Sequence, residues 1–257
     1  MSRRIAVTGA ASGIGRALAQ QLAAVGDTVI GVDLKDADVC ADLATADGRS
    51  SAVASVLERC GGVLDGLVAC AGINNPSPAL IAVNFFGVTA VADGLRPALA
   101  AASAPRAAVV GSISGTQPVD PQVVEACLAG DEAAALARAT VVMGEGPQKL
   151  YPSSKSGLAQ WMRRVCVTPD WAGAGIPLNA VAPGVVRTPM SEPLFADERM
   201  KAVMDQAVPM PLNGYMDAGT IATALGWLIS PGNTHMTGQV LYVDGGAEAS
   251  LRGPAAF

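Results

Sequence analysis

Histidine is almost missing from this sequence: His235 is the only one in 257 residues. A single imidazole excludes most metal sites, Ser-His-Asp triads and Cys-His dyads, so the chemistry is expected to run without a histidine base and without a metal. Charge is scarce too, with Asp, Glu, Lys and Arg at 15% and a net charge of −5. The 17 basic residues are scattered rather than striped, which argues against a nucleic-acid partner. Unbroken membrane-length runs are also lacking. The uncharged stretches 66–92 and 218–243 are interrupted by Asn74-Asn75-Pro76-Ser77-Pro78 and Ser230-Pro231-Gly232-Asn233, so no membrane span is expected. The apolar run after Arg3-Arg4 ends at Thr8-Gly9, too short for a signal-peptide core. There is no CxxC pair, and five cysteines make an odd count, which fits a reducing, cytoplasmic setting better than a disulfide scaffold.

What is plentiful is apolar surface. Residues of the AVILMFWYC set make up 51% of the chain, enough for a sizeable core, and the 29 glycines follow no collagen period. Short Val/Ile/Leu-rich runs at 4–8, 28–33, 66–70, 107–112, 177–182 and 239–243 read as strands. Helix-length segments lie near 14–25, 46–60, 79–101, 153–167 and 217–230. This alternation predicts βα units: an α/β fold with a doubly wound parallel sheet in a three-layer α/β/α arrangement. No repeat or linker interrupts 1–257, so one domain is expected. One segment breaks the rhythm: 38 residues separate Ser112 from Tyr151, with a helix predicted over Val123–Met143.

After the first strand comes Thr8-Gly9-Ala10-Ala11-Ser12-Gly13-Ile14-Gly15, and a helix follows at once. Glycines permit a tight turn and close approach of a pyrophosphate, and the helix N-terminus adds free N–H groups and a positive dipole end. The spacing is G-x-x-x-G-x-G rather than G-x-G-x-x-G. Asp33 closes the second strand, where a carboxylate accepts hydrogen bonds from a ribose diol and repels a 2′-phosphate. NAD is therefore favoured over NADP, with Lys35 the residue able to soften the choice. Asp42-Leu43 lies in the next loop, within reach of an adenine.

Tyr151-Pro152-Ser153-Ser154-Lys155 places a phenol and an ammonium four residues apart, on one side of a helix. A free phenol titrates near pH 10, and a neighbouring ammonium stabilises its phenolate. Pro152 sets Tyr151 at the helix edge. Ser112, at a strand end, is the expected donor to a substrate oxygen, with Ser114 its rival.

The ordered set Thr8-Gly9-x-x-x-Gly13-Ile14-Gly15, Cys70-Ala71-Gly72, Asn84, Ser112-x-x-Gly115, Tyr151-x-x-x-Lys155 and Asn179-x-x-x-Pro183-Gly184 resembles the short-chain dehydrogenase/reductase family from residue 5 to about 246. The resemblance implies a Rossmann-type sheet, a nicotinamide cofactor and a Ser-Tyr-Lys mechanism. It implies Tyr151 as acid–base, Lys155 as its activator and ribose ligand, Ser112 on the carbonyl oxygen and Asn84 as anchor of a proton-relay water. The cofactor contacts it implies are Gly9, Ala11, Ser12, Gly13, Ile14, Asp33, Asp42, Leu43, Ala71 and Gly72, then Tyr151, Lys155, Pro183, Gly184, Val186, Thr188 and Met190. Cys70 stands where the family usually has asparagine, and little functional loss is expected.

The insert at about 116–148, Asp33-Leu34-Lys35-Asp36-Ala37 and the ending Val243-Asp244-Gly245-Gly246 are similar to bacterial 3α-hydroxysteroid dehydrogenase/carbonyl reductases. That likeness implies a bulky apolar carbonyl or alcohol substrate such as a steroid, and a homodimer. The methionine-rich segment 188–212 is where the family places a substrate lid. The other readings are a reductase of 3-oxoacyl thioesters or sugars, and a non-catalytic cofactor sensor.

Overall fold

A computed structural model describes residues 2–256. In chain order the elements begin with β1 (Arg4–Thr8), α1 (Gly13–Ala24), β2 (Thr28–Asp33), β3 (Val39–Cys40), α2 (Ala46–Cys60) and β4 (Gly66–Ala69). There follow α3 (Pro78–Ile81), a π-helical turn (Ala82–Gly87), α4 (Val88–Ala100), β5 (Arg106–Val110), α5 (Pro121–Ala129), α6 (Glu132–Glu145) and α7 (Leu150–Val165). The chain closes with β6 (Leu178–Pro183), β7 (Val186–Arg187), α8 (Glu192–Phe195), α9 (Glu198–Ala207), β8 (Met216–Asp217), α10 (Ala218–Leu228), β9 (Val240–Val243) and α11 (Ala247–Arg252).

Seven strands form one sheet in the order β3-β2-β1-β4-β5-β6-β9, with every pairing parallel. A parallel sheet must be covered on both faces because its strands are apolar throughout. β4, β5 and β6 are buried at every residue. One face packs on α1 and α10 through Leu18, Leu22, Ile221 and Leu225. The other packs on α2, α4 and α7 through Val56, Leu95, Leu158 and Met162. The strand order reverses between β1 and β4, and the carboxyl ends of the two strands open a crevice there, the usual ligand site of such sheets.

The continuous helical stretch Pro78–Ala100 is long and apolar enough to cross a membrane, but 67% of its most apolar window is buried in the protein. Its apolarity is explained by the core it fills.

The insert corrects one expectation. Instead of a single helix over 123–143 there are two, α5 and α6. Gly130 turns into the left-handed region at φ 73°, and Asp131 caps the next helix by accepting from Ala134 N at 2.9 Å. A left-handed glycine followed by a short acidic residue is a stop and a restart. β3, β7, β8 and the short helices α8, α9 and α11 lie outside the sequence expectation. The two-residue strands carry too little pattern to read.

Candidate active site

The nucleotide end of the crevice is built by backbone. Gly9 sits at φ 71°, and a Cβ there would stand 2.9 Å from Ala71 N. A Cβ on Gly15 would lie 2.1 Å from the Gly9 carbonyl. Both glycines are therefore required by the fold of the loop itself, which brings β1 against the Cys70-Ala71-Gly72 segment. Thr8 Oγ1 holds that approach by accepting from Ala71 N at 3.0 Å. Helix α1 starts without a side-chain cap: Ser12 makes none, and no acidic residue stands in the first turn. Its first N–H groups are left for a ligand, which is the condition for seating a phosphate. Gly13, at φ 49°, faces the Thr188 side chain across the crevice, and a Cβ on it would lie 3.4 Å from Thr188 Cγ2.

Asp33 ends β2 beside this loop. Its Oδ2 accepts from Ala11 N at 2.9 Å and its Oδ1 from Leu34 N at 2.7 Å. The loop after β3 carries Asp42 and Leu43 and is joined to the end of β2 by Ala41 N donating to the Asp33 carbonyl at 2.9 Å. Asp42 Oδ1 turns the loop by accepting from Ala44 N, and the Leu43 side chain is buried.

The chemical end is built by side chains. Ser112 follows β5, and its Oγ accepts from Ser114 N at 3.1 Å. Tyr151 lies in the first turn of α7, where Pro152 costs no helical hydrogen bond. Burial raises its pKa above the ordinary value, and the neighbouring Ser112 side chain pulls the other way. Ser112, not Ser114, is the serine that acts on the phenol. Lys155, one turn on, is buried, and its Nζ stands 5.7 Å from the Tyr151 ring centre. Burial lowers its pKa to about 8, opposed by the neighbouring Cys70. Nζ donates to the Val110 carbonyl at 2.8 Å. An ammonium has three donors, so the remaining two are available to hydroxyl groups in the crevice.

Asn84 is fully buried in the π-helical turn, and its amide clamps the loop after Gly72. Oδ1 accepts from Ile73 N at 2.8 Å, and Nδ2 donates to the Ile73 carbonyl at 2.9 Å and to Ser154 Oγ at 3.3 Å. A Cβ on Gly72 would meet Asn84 Oδ1 at 3.2 Å and Lys155 Nζ at 3.7 Å, so these three residues are immediate neighbours. Cys70 is packed against the core, and burial pushes its thiol up to about 12, opposed by Lys155.

From the far wall, Pro183 ends β6, and Gly184 lies against β9, donating to the Val243 carbonyl at 3.0 Å. A Cβ on Gly184 would meet Asp244 Cα at 2.9 Å. The Val186 side chain is buried in the core. Thr188 N donates to Ser191 Oγ at 3.0 Å, and the Met190 carbonyl accepts from Asn74 Nδ2 at 3.2 Å while its side chain stays exposed. Beyond it, α8 and α9 bury no residue, and Met200, Val203 and Leu212 are exposed.

Two features lie outside the sequence expectation. Ile73 contributes only backbone to Asn84, which no side-chain pattern reveals. Asp38 accepts from Gly31 N at 2.8 Å, an ordinary polar residue in a polar loop.

An open parallel sheet with an uncapped helix at its switch point and a Ser-Tyr-Lys cluster at the other end of the crevice defines a dinucleotide-type oxidoreductase. Comparison with known proteins narrows that class. Residues 3–124 match the family profile described as short chain dehydrogenase, and 132–248 the one described as Enoyl-(Acyl carrier protein) reductase. The chain is 34% identical over 253 residues to the 3-alpha-hydroxysteroid dehydrogenase/carbonyl reductase of Comamonas testosteroni, covering 96% of this chain and 97% of the relative. It is 29% identical to the 3-oxoacyl-[acyl-carrier-protein] reductase FabG of Escherichia coli (strain K12), covering 93% and 95%. Among solved structures, the 3-alpha-hydroxysteroid dehydrogenase from Pseudomonas sp. B-0831 complexed with NADH superimposes with a TM-score of 0.91 at 46% identity, covering 99% of this chain and 100% of that one. The chain belongs to the short-chain dehydrogenase/reductase family of oxidoreductases.

Proposed function

We propose that this enzyme interconverts 3α-hydroxysteroids and 3-ketosteroids, and reduces other bulky carbonyls, with NAD(H) preferred to NADP(H). The observation that carries a carbonyl/alcohol chemistry is the Tyr151 phenol set next to the Ser112 side chain, with the buried Lys155 Nζ 5.7 Å from its ring centre. The steroid class is supported by the activities named for the Comamonas and Pseudomonas relatives. The exposed methionines and Leu212 of 188–212, at the open flank of the crevice, suit a bulky apolar substrate.

The residues present fit a nicotinamide dinucleotide. An uncapped helix N-terminus answers a pyrophosphate, Asp33 a ribose diol, and the free donors of Lys155 a second ribose. When bound, the nicotinamide supplies or accepts the hydride. The chain's own groups do the rest. Ser112 donates to the substrate oxygen and holds it at the phenol. Tyr151 gives its proton to that oxygen in reduction, and its phenolate takes the proton back in oxidation. Lys155 favours the phenolate through its charge. Because both ends of the Asn84 amide are committed to Ile73, we assign that side chain to holding the Gly72–Ile73 loop, and the relay water to backbone groups of the π-helical turn.

Assay of a 3α-hydroxysteroid, a 3-ketosteroid, a 3-oxoacyl thioester and a sugar, each with both cofactors, tests the reading. The steroids should give the highest kcat/KM, and a thioester that outperforms them by tenfold or more would falsify the substrate class. With this reading we carry a homodimer, supported by α5 lying along α7; a solution mass four times that of the chain overturns it. The five free cysteines suit a cytoplasmic location.

A further inference from the structure

Helix α2 carries a charged residue on its buried stripe. Arg49, Ala52, Val56 and Cys60 are its buried positions, and all but the first are apolar. A guanidinium in that place has to be paired, because an uncompensated buried charge is strongly destabilising. Its partners come from the adjoining loop and from a distant part of the chain. Nε donates to the Leu43 carbonyl at 2.9 Å, and Nη2 donates to the Ala44 carbonyl at 3.0 Å. Both carbonyls belong to the loop that carries Asp42 and Leu43. Facing them, Glu132 grips the same guanidinium with both carboxylate oxygens, one of them accepting from Nη1 at 2.7 Å. Glu132 is the first residue of α6, 83 positions along the chain, in the insert. The guanidinium also lies over the Phe86 ring at 5.9 Å, and Phe86 belongs to the π-helical turn that holds Asn84.

We propose that the Arg49–Glu132 pair makes the insert a determinant of cofactor affinity: the insert fixes, through these two positioning residues, the loop that meets the adenosine half of the cofactor. The proposal rests on the nicotinamide-dinucleotide reading of the crevice. Both side chains act through the loop, without touching the cofactor. A bidentate carboxylate orients the fork so that its other edge meets two successive carbonyls. Those carbonyls set the path of residues 42–45, which is joined to Asp33 through Ala41. Without Glu132 the guanidinium is a buried cation with no counter-charge, and it relaxes toward water. The loop then loses its two tethers, and the cost of ordering it again weakens cofactor binding.

The insert keeps its own anchorage when the pair is cut. Val123, Cys127, Ala135, Ala139 and Val142 stay in the core, and Arg138 still binds Asp120 at 2.6 Å. Glu132→Gln is therefore expected to fold, with Glu132→Asp as the charge-retaining companion.

The test is titration of the intact protein with NADH, ADP-ribose and reduced nicotinamide mononucleotide. Wild-type protein that binds none of them sinks the cofactor reading, and the proposal with it. If wild type binds, Glu132→Gln and Arg49→Lys should each weaken NADH and ADP-ribose by about five- to tenfold. The mononucleotide, which lacks the adenosine half, should bind within about twofold of wild type, and Glu132→Asp should recover part of the loss. In turnover the KM for NADH should rise with kcat little changed. Unchanged ADP-ribose affinity, or an equal loss for both fragments, overturns the coupling while leaving the cofactor reading intact. A Glu132→Gln protein that does not fold while Glu132→Asp binds as wild type also overturns it, because the carboxylate then serves stability.

Discussion

The glycine loop after β1 and the Ser112–Tyr151–Lys155 cluster lie at two ends of one crevice and present opposite materials to it. At the first, the working groups are main-chain N–H donors, and side chains are kept away by Gly9, Gly13 and Gly15. At the second, the backbone is buried in strands and helix, and the working groups are one hydroxyl, one phenol and one ammonium. A site made of backbone tolerates a change of side chain only where a Cβ has room. A site made of side chains tolerates changes that spare the reacting atoms. The two ends should therefore fail in different ways.

The largest effect is expected at the chemical end. Tyr151→Phe removes one oxygen and its proton, and kcat should fall by about a hundred- to ten-thousandfold. NADH affinity, read by titration, should stay near wild type; turnover close to normal in this variant sinks the mechanism. Next comes Gly9→Ala. It adds one methyl against Ala71 N at a positive φ, at an expected cost of about 1–3 kcal/mol in stability. Thermal melting should show the drop together with weakened NADH binding, whereas the Tyr151 variant should melt like wild type. Equal melting of the two proteins would erase the distinction between the ends.

Asp33→Ala probes the one side chain that works at the nucleotide end. Removing the carboxylate should narrow the preference for NAD over NADP by about tenfold, seen as the ratio of the two kcat/KM values. An unchanged ratio would mean that Asp33 is needed only to hold the glycine loop through Ala11 N. The smallest effect is one of pH. Burial places Lys155 at about 8, so its charge is present at pH 7 and lost as the pH rises through 8. Binding of reduced nicotinamide mononucleotide to the cofactor-free protein should weaken by about three- to tenfold between pH 7 and 9. Between about 8 and the ordinary lysine value of 10.5, the unfolded chain holds a proton that the folded one has released. This group therefore makes the cofactor-free fold more stable with rising pH in that window. A flat melting temperature and flat affinity across it would show that Lys155 keeps its proton.

The parallel sheet is legible in the sequence because each of its longer strands is an apolar run bounded by polar turns, and the helix expected over 46–60 coincides with α2. The Gly9–Gly15 loop and Tyr151–Lys155 are legible from spacing, since both rest on neighbours in sequence. What escapes depends on distance along the chain. Nothing in Val39-Cys40 announces a strand until β2 offers its edge. The choice of Ser112 over Ser114 needs the phenol brought in from α7. The long helix expected near 79–101 carries a π-helical turn, and Asn84 within it reaches Ile73. Arg49 is a signal of a third kind, visible in sequence but meaningful only in the fold. An arginine on the apolar stripe of α2, three residues before Ala52 and seven before Val56, is a charge that must find a partner inside.

The thiols have a practical consequence. Among the described residues, only Cys40 of the five cysteines is exposed. Cys70 and Cys127 are pushed up to about 12 by burial and stay protonated in neutral solution. Alkylating reagents attack the thiolate of accessible cysteines, so a maleimide dye added to the native protein should label one position. That position ends β3, two residues before Asp42. The wild-type chain thus carries its own attachment point for a fluorophore beside the adenosine loop, and nucleotide arrival can be followed in real time without engineering a cysteine.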